Sequence, residues 1–159
     1  MICSLYAVTP AEMQRLLAEP EEVWGFAGTA NRPCLSLQKA WDGLHFLLTG
    51  SATGGEEPLG FLLQGGEAVG NFDPVYSPGA RVFAPDATRR LDMLLSAMSD
   101  EQLWRRFDAA KMEAEEIYPD IWDEPEEHLR EWYLGFFRDM KAFIHEASES
   151  QKALLVLIA

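Results

Sequence analysis

Six consecutive apolar residues, Ala153-Leu154-Leu155-Val156-Leu157-Ile158, stand near the end of the chain. An unbroken run of this length reads as a buried closing strand rather than as a helix. The segment ahead of it supplies cover. After Pro125, residues Leu129, Trp132, Tyr133, Phe136, Phe137, Met140, Phe143 and Ile144 recur at steps of three and four. That spacing predicts a long helix with one broad apolar face, and the aromatic stripe on it is core.

Two further strands are expected. Residues 2–8, Ile-Cys-Ser-Leu-Tyr-Ala-Val, form the first, and Arg81-Val82-Phe83-Ala84 a short middle one. Helices fill the intervals. Thr9-Pro10-Ala11-Glu12 and Ser99-Asp100-Glu101-Gln102 are capping boxes, each opening a helix. Pro85 and Asp86 open another, with Leu91, Leu94, Leu95 and Met98 inward. Leu35 to Leu48 reads as a helix, because Leu37, Ala40, Trp41, Leu44, Leu47 and Leu48 share one face, with Gly50 as its stop. Residues 20–34 read as loop with a helical turn near Glu21 to Trp24. Phe61 to Val69 reads as a small hairpin around Gly65-Gly66. The expectation is an α+β fold forming one domain over residues 1–159. Its small mixed or antiparallel sheet is built from the N-terminal, middle and C-terminal strands and covered by several helices.

The charge balance excludes some functions. The 159 residues carry 26 acidic and 13 basic side chains, a net charge of −13. Nucleic acid needs a basic footprint, and an anionic membrane repels such a chain. The apolar share of 48% is too high for disorder. Eight of the carboxylates lie between Glu113 and Glu127, with no base among them. The rest of the chain therefore sums to −5, so the acidity is local. No signal-peptide pattern opens the chain, and no apolar run reaches the ~20 residues of a membrane helix. A cytoplasmic protein is expected. Cys3 and Cys34 form neither a C-x-x-C pair nor a metal-ligand spacing, and are expected reduced and buried.

Three stretches resemble one family. Lys39-Ala40-Trp41-Asp42-Gly43-Leu44-His45-Phe46-Leu47-Leu48-Thr49-Gly50 is similar to its K-x-W-x-x-L-H-[FY]-x-L-T-G segment. Tyr76-Ser77-Pro78-Gly79-Ala80-Arg81 resembles its Tyr-Gly-Pro-Ala-Arg turn, with Ser77 and an added residue around Gly79 as departures. Glu116-Ile117-Tyr118-Pro119-Asp120-Ile121-Trp122 resembles its E-I-Y-P motif. The family is the YfbM-like group of bacterial proteins, a domain of unknown function. The resemblance spans nearly the whole chain. It implies an α+β cytosolic domain and no established activity.

Two groups of residues are candidates for chemistry. On the helix expected over 35–48, Gln38, Asp42, His45 and Thr49 form a polar stripe. Asp42 and His45 are three apart, so the aspartate could fix the histidine's tautomer, as a catalytic orienter does. No nucleophile belongs to the stripe, and Ser36, Ser77 and Cys34 would serve only if the fold brought them close. Tyr76, Arg81, Tyr118 and Trp122 form a second group with the make-up of a recognition pocket. The alternative is that Tyr118 and Trp122 simply pin the acidic loop to the core. No metal site is expected, since His45, His128 and His145 lack ligand spacing and the acidic run lacks that of a calcium loop. The glycines between 50 and 70 match no phosphate-binding loop, and no cofactor is expected.

Two functions follow. The favoured one is a binding or regulatory module that recognises a basic protein partner, as an immunity protein does, with the chain a monomer or weak homo-oligomer. The alternative is a small hydrolase-like enzyme using Asp42 and His45 in a pocket. The missing nucleophile makes the enzyme the weaker choice.

Overall fold

A computed structural model of the chain describes residues 1–29, 31–71 and 79–159. The closing apolar run is strand β5 (Ala153–Ile158), the middle of a five-stranded sheet. The other strands are β1 (Cys3–Val8), β2 (Cys34–Gln38), β3 (Glu67–Ala68) and β4 (Gly79–Phe83), in the order β2-β1-β5-β4-β3. Every neighbouring pair is antiparallel, with Val156 opposite Leu5 on one side and Arg81 on the other.

All six residues of β5 are buried because both faces of the sheet are covered. Leu154, Val156 and Ile158 join Leu5, Leu44, Leu91, Leu103 and Phe137 in the larger core. That core lies under α3 (Trp41–Thr49), α4 (Pro85–Ala97), α5 (Asp100–Trp104), α6 (Ala109–Ala114) and α7 (Glu126–Glu149). Ala153, Leu155 and Leu157 face the opposite way. They pack with Tyr6, Val8 and Val82 under α1 (Pro10–Ala18) and α2 (Val23–Ala27). Burying each large side chain is worth about 1.5–3 kcal/mol, so a strand covered twice has no use for polar alternation.

Local signals hold the helix starts. The Thr9 hydroxyl accepts from Glu12 N–H at 3.1 Å, and the Glu12 carboxylate accepts from Thr9 N–H at 2.8 Å. Ser99 and Gln102 repeat the arrangement at 3.1 and 2.8 Å. Gly50 closes α3 in the left-handed conformation, at φ 76°.

Four sequence expectations are corrected. The helix expected over Leu35–Leu48 is strand β2 followed by α3. Leu37 is buried by the sheet, and Gln38 turns the chain at φ 51° before the helix starts. Pairing with β1 thus overrides a helical spacing that spanned both elements. The Gly65-Gly66 hairpin does not form. Phe61–Gln64 coils through bonds to the Pro58 and Gly60 carbonyls, and β3 pairs with β4 instead. Leu94, expected inward on α4, is exposed. The two cysteines are free; Cys3 is buried as expected, but Cys34, expected buried, is exposed. Tyr6, not Cys3, lies opposite Cys34 across the β1–β2 pair.

α3 and α7 meet at Gly43. A Cβ there would overlap the Tyr133 hydroxyl and ring. Tyr133 is wholly buried and stacks on Trp122, with ring centroids 5.8 Å apart. Gly43→Ala should therefore cost about 1–3 kcal/mol by overpacking. Adding Tyr133→Phe removes the closest atom and should recover part of the loss. Denaturant unfolding of the single and double variants measures both; additive losses would contradict the contact.

Candidate functional site

The expected polar stripe comes apart residue by residue. Gln38 stands at the end of β2, exposed, and its N–H donates to the Ser36 hydroxyl at 3.2 Å. Asp42 lies in the first turn of α3, where the helix dipole favours a carboxylate. Its Oδ2 accepts the Tyr118 backbone N–H at 2.9 Å. Burial pushes its pKa up, opposed by that bond. Burial, with a smaller push from the Asp42 charge, holds the Tyr133 phenol well above the ordinary range. Thr49 donates its hydroxyl to the His45 carbonyl at 2.8 Å and so finishes the helix.

His45 itself is wholly buried. Among the described residues neither ring nitrogen has a hydrogen-bond partner. Burial lowers its pKa, and the Arg81 charge adds to this. The Gly54 backbone opposes both. The imidazole is thus enclosed and makes no hydrogen bond to Asp42, the expected orienter.

The second group is divided too. Arg81, on β4, donates Nη2 to the Leu62 carbonyl, and burial lowers its pKa. Tyr118 packs on Trp41, with centroids 5.9 Å apart. Trp122 is buried and donates Nε1–H to the Ile117 carbonyl at 2.8 Å. Both therefore anchor the acidic segment. Tyr76 and Ser77 lie outside the described residues. Ser36 and Cys34 sit on β2, opposite Ser4 and Tyr6 of β1. Two of the motif stretches meet: Asp42 of the first holds Tyr118 of the third.

Residues 1–157 match a family described as a domain of unknown function, DUF1877. The chain belongs to that family. Its fold is similar to the crystal structure of YfbM from Escherichia coli, itself a protein of unknown function. The TM-score is 0.75 at 19% identity, covering 100% of both chains. No curated protein matches by sequence. The YfbM-like resemblance and the α+β fold therefore stand.

This DUF1877 protein does contain an aspartate–histidine pair, but elsewhere. His145 Nδ1 on α7 lies 3.1 and 3.2 Å from the Asp92 carboxylate on α4, and Ser96 donates its hydroxyl to the same carboxylate at 3.1 Å. Serine and histidine both bond the aspartate rather than each other. The trio is a clasp between helices, not a nucleophile with its base. The signal for it was an aspartate at a core position of α4, beside Leu91. An open cleft of about 380 Å³ lies between α1 and α2. Its Arg15–Glu22 and Arg32–Glu12 pairs already satisfy each other at 2.6 and 2.7 Å. Among the described residues no group of three His, Cys, Asp or Glu could hold a metal, and no helix is long and apolar enough to cross a membrane.

His45 gives the family's first motif a pH signature. Its folded pKa lies below the ordinary 6.5 that the unfolded chain retains. The unfolded state thus takes up more protons as the pH falls through 6.5, and stability drops over that window. His45→Phe should lose less stability between about pH 7 and pH 5 than the parent does. Denaturant unfolding at both pH values checks this; equal losses would contradict it.

Proposed function

We propose that this DUF1877 protein is a non-catalytic binding module of the cytoplasm, immunity-like in kind, that recognises a basic protein partner through residues 113–127. The observation that carries the reading is the way this segment separates its two kinds of residue. All eight carboxylates from Glu113 to Glu127 are exposed, while Ile117 and Trp122 between them are buried. Among the described residues only Glu115 has an ion pair, with Lys111 at 3.7 Å. Glu126 accepts the Trp104 indole N–H at 3.2 Å. A carboxylate array on a backbone held by Asp42 and two buried anchors needs little ordering when a partner arrives. Its field would also speed the approach of a cationic protein. The hydrolase alternative loses its base, because His45 is enclosed and Asp42 is engaged by Tyr118.

A lysine- and arginine-rich peptide serves as the probe. Its titration into the labelled protein should shift backbone resonances of 113–127 first. Association should weaken roughly tenfold or more as salt rises to about 0.5 M. Glu115→Gln, Glu116→Gln, Asp120→Asn and Glu124→Gln together should abolish the shifts. Binding that moves other surfaces instead, or that ignores salt, would overturn the proposal.

A further inference from the structure

We propose that the outer face of α4, with the cleft beside it, binds an acidic amphipathic helix of a partner protein. α4 is apolar on two sides. Leu91 and Leu95 point into the core, as does the clasped Asp92. On the outer side, exposed residues Arg90, Met93, Leu94 and Ala97 recur at i, i+3, i+4 and i+7. Met93 is 67% exposed and Leu94 44%. Scattered exposed apolar residues are ordinary, but two adjacent large ones on a helical stripe form the kind of surface into which a second helix packs. The stripe runs about 10 Å along α4, two turns of a partner helix.

The stripe borders a cleft of about 390 Å³ lined by Leu94, Ala97, Met98, Gln102, Arg105 and Arg106. It contains two arginines and no carboxylate, in a chain with twice as many acids as bases. The local reason is the direction in which α5 spends its acids. Asp100 and Glu101 pair with Arg138 and Arg130 of α7 at 2.6 and 2.7 Å, leaving the cleft side basic. Arg106 is fixed, donating Nη1 to the Leu47 and Leu48 carbonyls at 3.1 and 2.8 Å. Among the described residues the Arg105 side chain makes no ion pair or hydrogen bond. An apolar stripe of helical spacing with an arginine rim is complementary to leucine-like anchors flanked by carboxylates. A long polyanion has no use for the apolar stripe, so the stripe favours an amphipathic helix over it. This face and the acidic segment are separate surfaces, and either stands without the other.

The test uses the intact protein and a fluorescent synthetic helix carrying leucines at i, i+3, i+4 and i+7 and glutamates beside them. A scrambled peptide of the same composition is the control. Saturable binding of the patterned peptide alone is expected, with the Met93 and Met98 methyl resonances shifting. Leu94→Glu and Arg105→Glu, both on exposed side chains, should each weaken it about tenfold or more while leaving the thermal midpoint in place. Absence of binding, equal binding of the scrambled peptide, or full affinity in both variants would overturn the proposal. So would sedimentation of the protein alone as a dimer that Leu94→Glu dissolves, since the face would then belong to a second copy.

Discussion

Burial of β5 on both faces is the constraint on which the rest of the structure depends. A strand with no polar side cannot lie at an edge or under a single layer. β1 and β4 must flank it, so the two ends of the chain share one sheet. α7 must run long beside it, and α1 with α2 must close the opposite face. Once these layers are in place, a polar group pointing inward has to find a partner or remain neutral. Asp42 finds the Tyr118 N–H, Asp92 finds His145 and Ser96, and Arg81 finds the Leu62 carbonyl. His45 remains as a buried ring.

The family's shared motifs read differently in this light. Among the described residues, Asp42 ties α3 to the segment before α7, and Arg81 ties β4 to the Leu62 carbonyl. Gly43 admits Tyr133, Tyr133 stacks on Trp122, and Trp122 bonds back to the Ile117 carbonyl. These contacts turn an acidic stretch into a fixed surface. Function is then sought outside the motifs, where charge has been sorted by sign. Acids gather at 113–127, and Arg105 and Arg106, just after α5, stand apart from them beside α4.

Much of this was legible in the sequence, and the exceptions share a cause. β1, β4, β5, α1, α4 and α7 were readable because each carries a local signal: an apolar run, a capping box or a long helical period. The capping boxes at Thr9 and Ser99 formed as written. β2 was misread because Leu37, Ala40, Trp41 and Leu44 keep a helical step across a strand–helix junction. Only the partner β1, far away in the chain, reveals the break at Gln38. The Asp42–His45 pairing failed for a similar reason. Spacing on a helix says that two side chains can meet, but Tyr118 competes for Asp42 from 76 residues away. The pair that does form, Asp92–His145, joins two helices, and no local window contains both residues. The helical period alone puts Leu94 inward beside Leu91 and Leu95, but in the fold it faces solvent.

The central claim is that the residues of the first motif hold the fold rather than perform chemistry. The ring of His45 tests it most directly. Imidazole nitrogen spectra of the intact protein, followed from about pH 8 down to the acid edge of the folded state, report its charge. The account predicts that native His45 is still mostly neutral at the pH where an ordinary histidine is half charged, taking up its proton only at lower pH. A native His45 that titrates near 6.5 in step with the Asp42 carboxyl would place a charged, solvent-coupled pair at α3 and contradict the account.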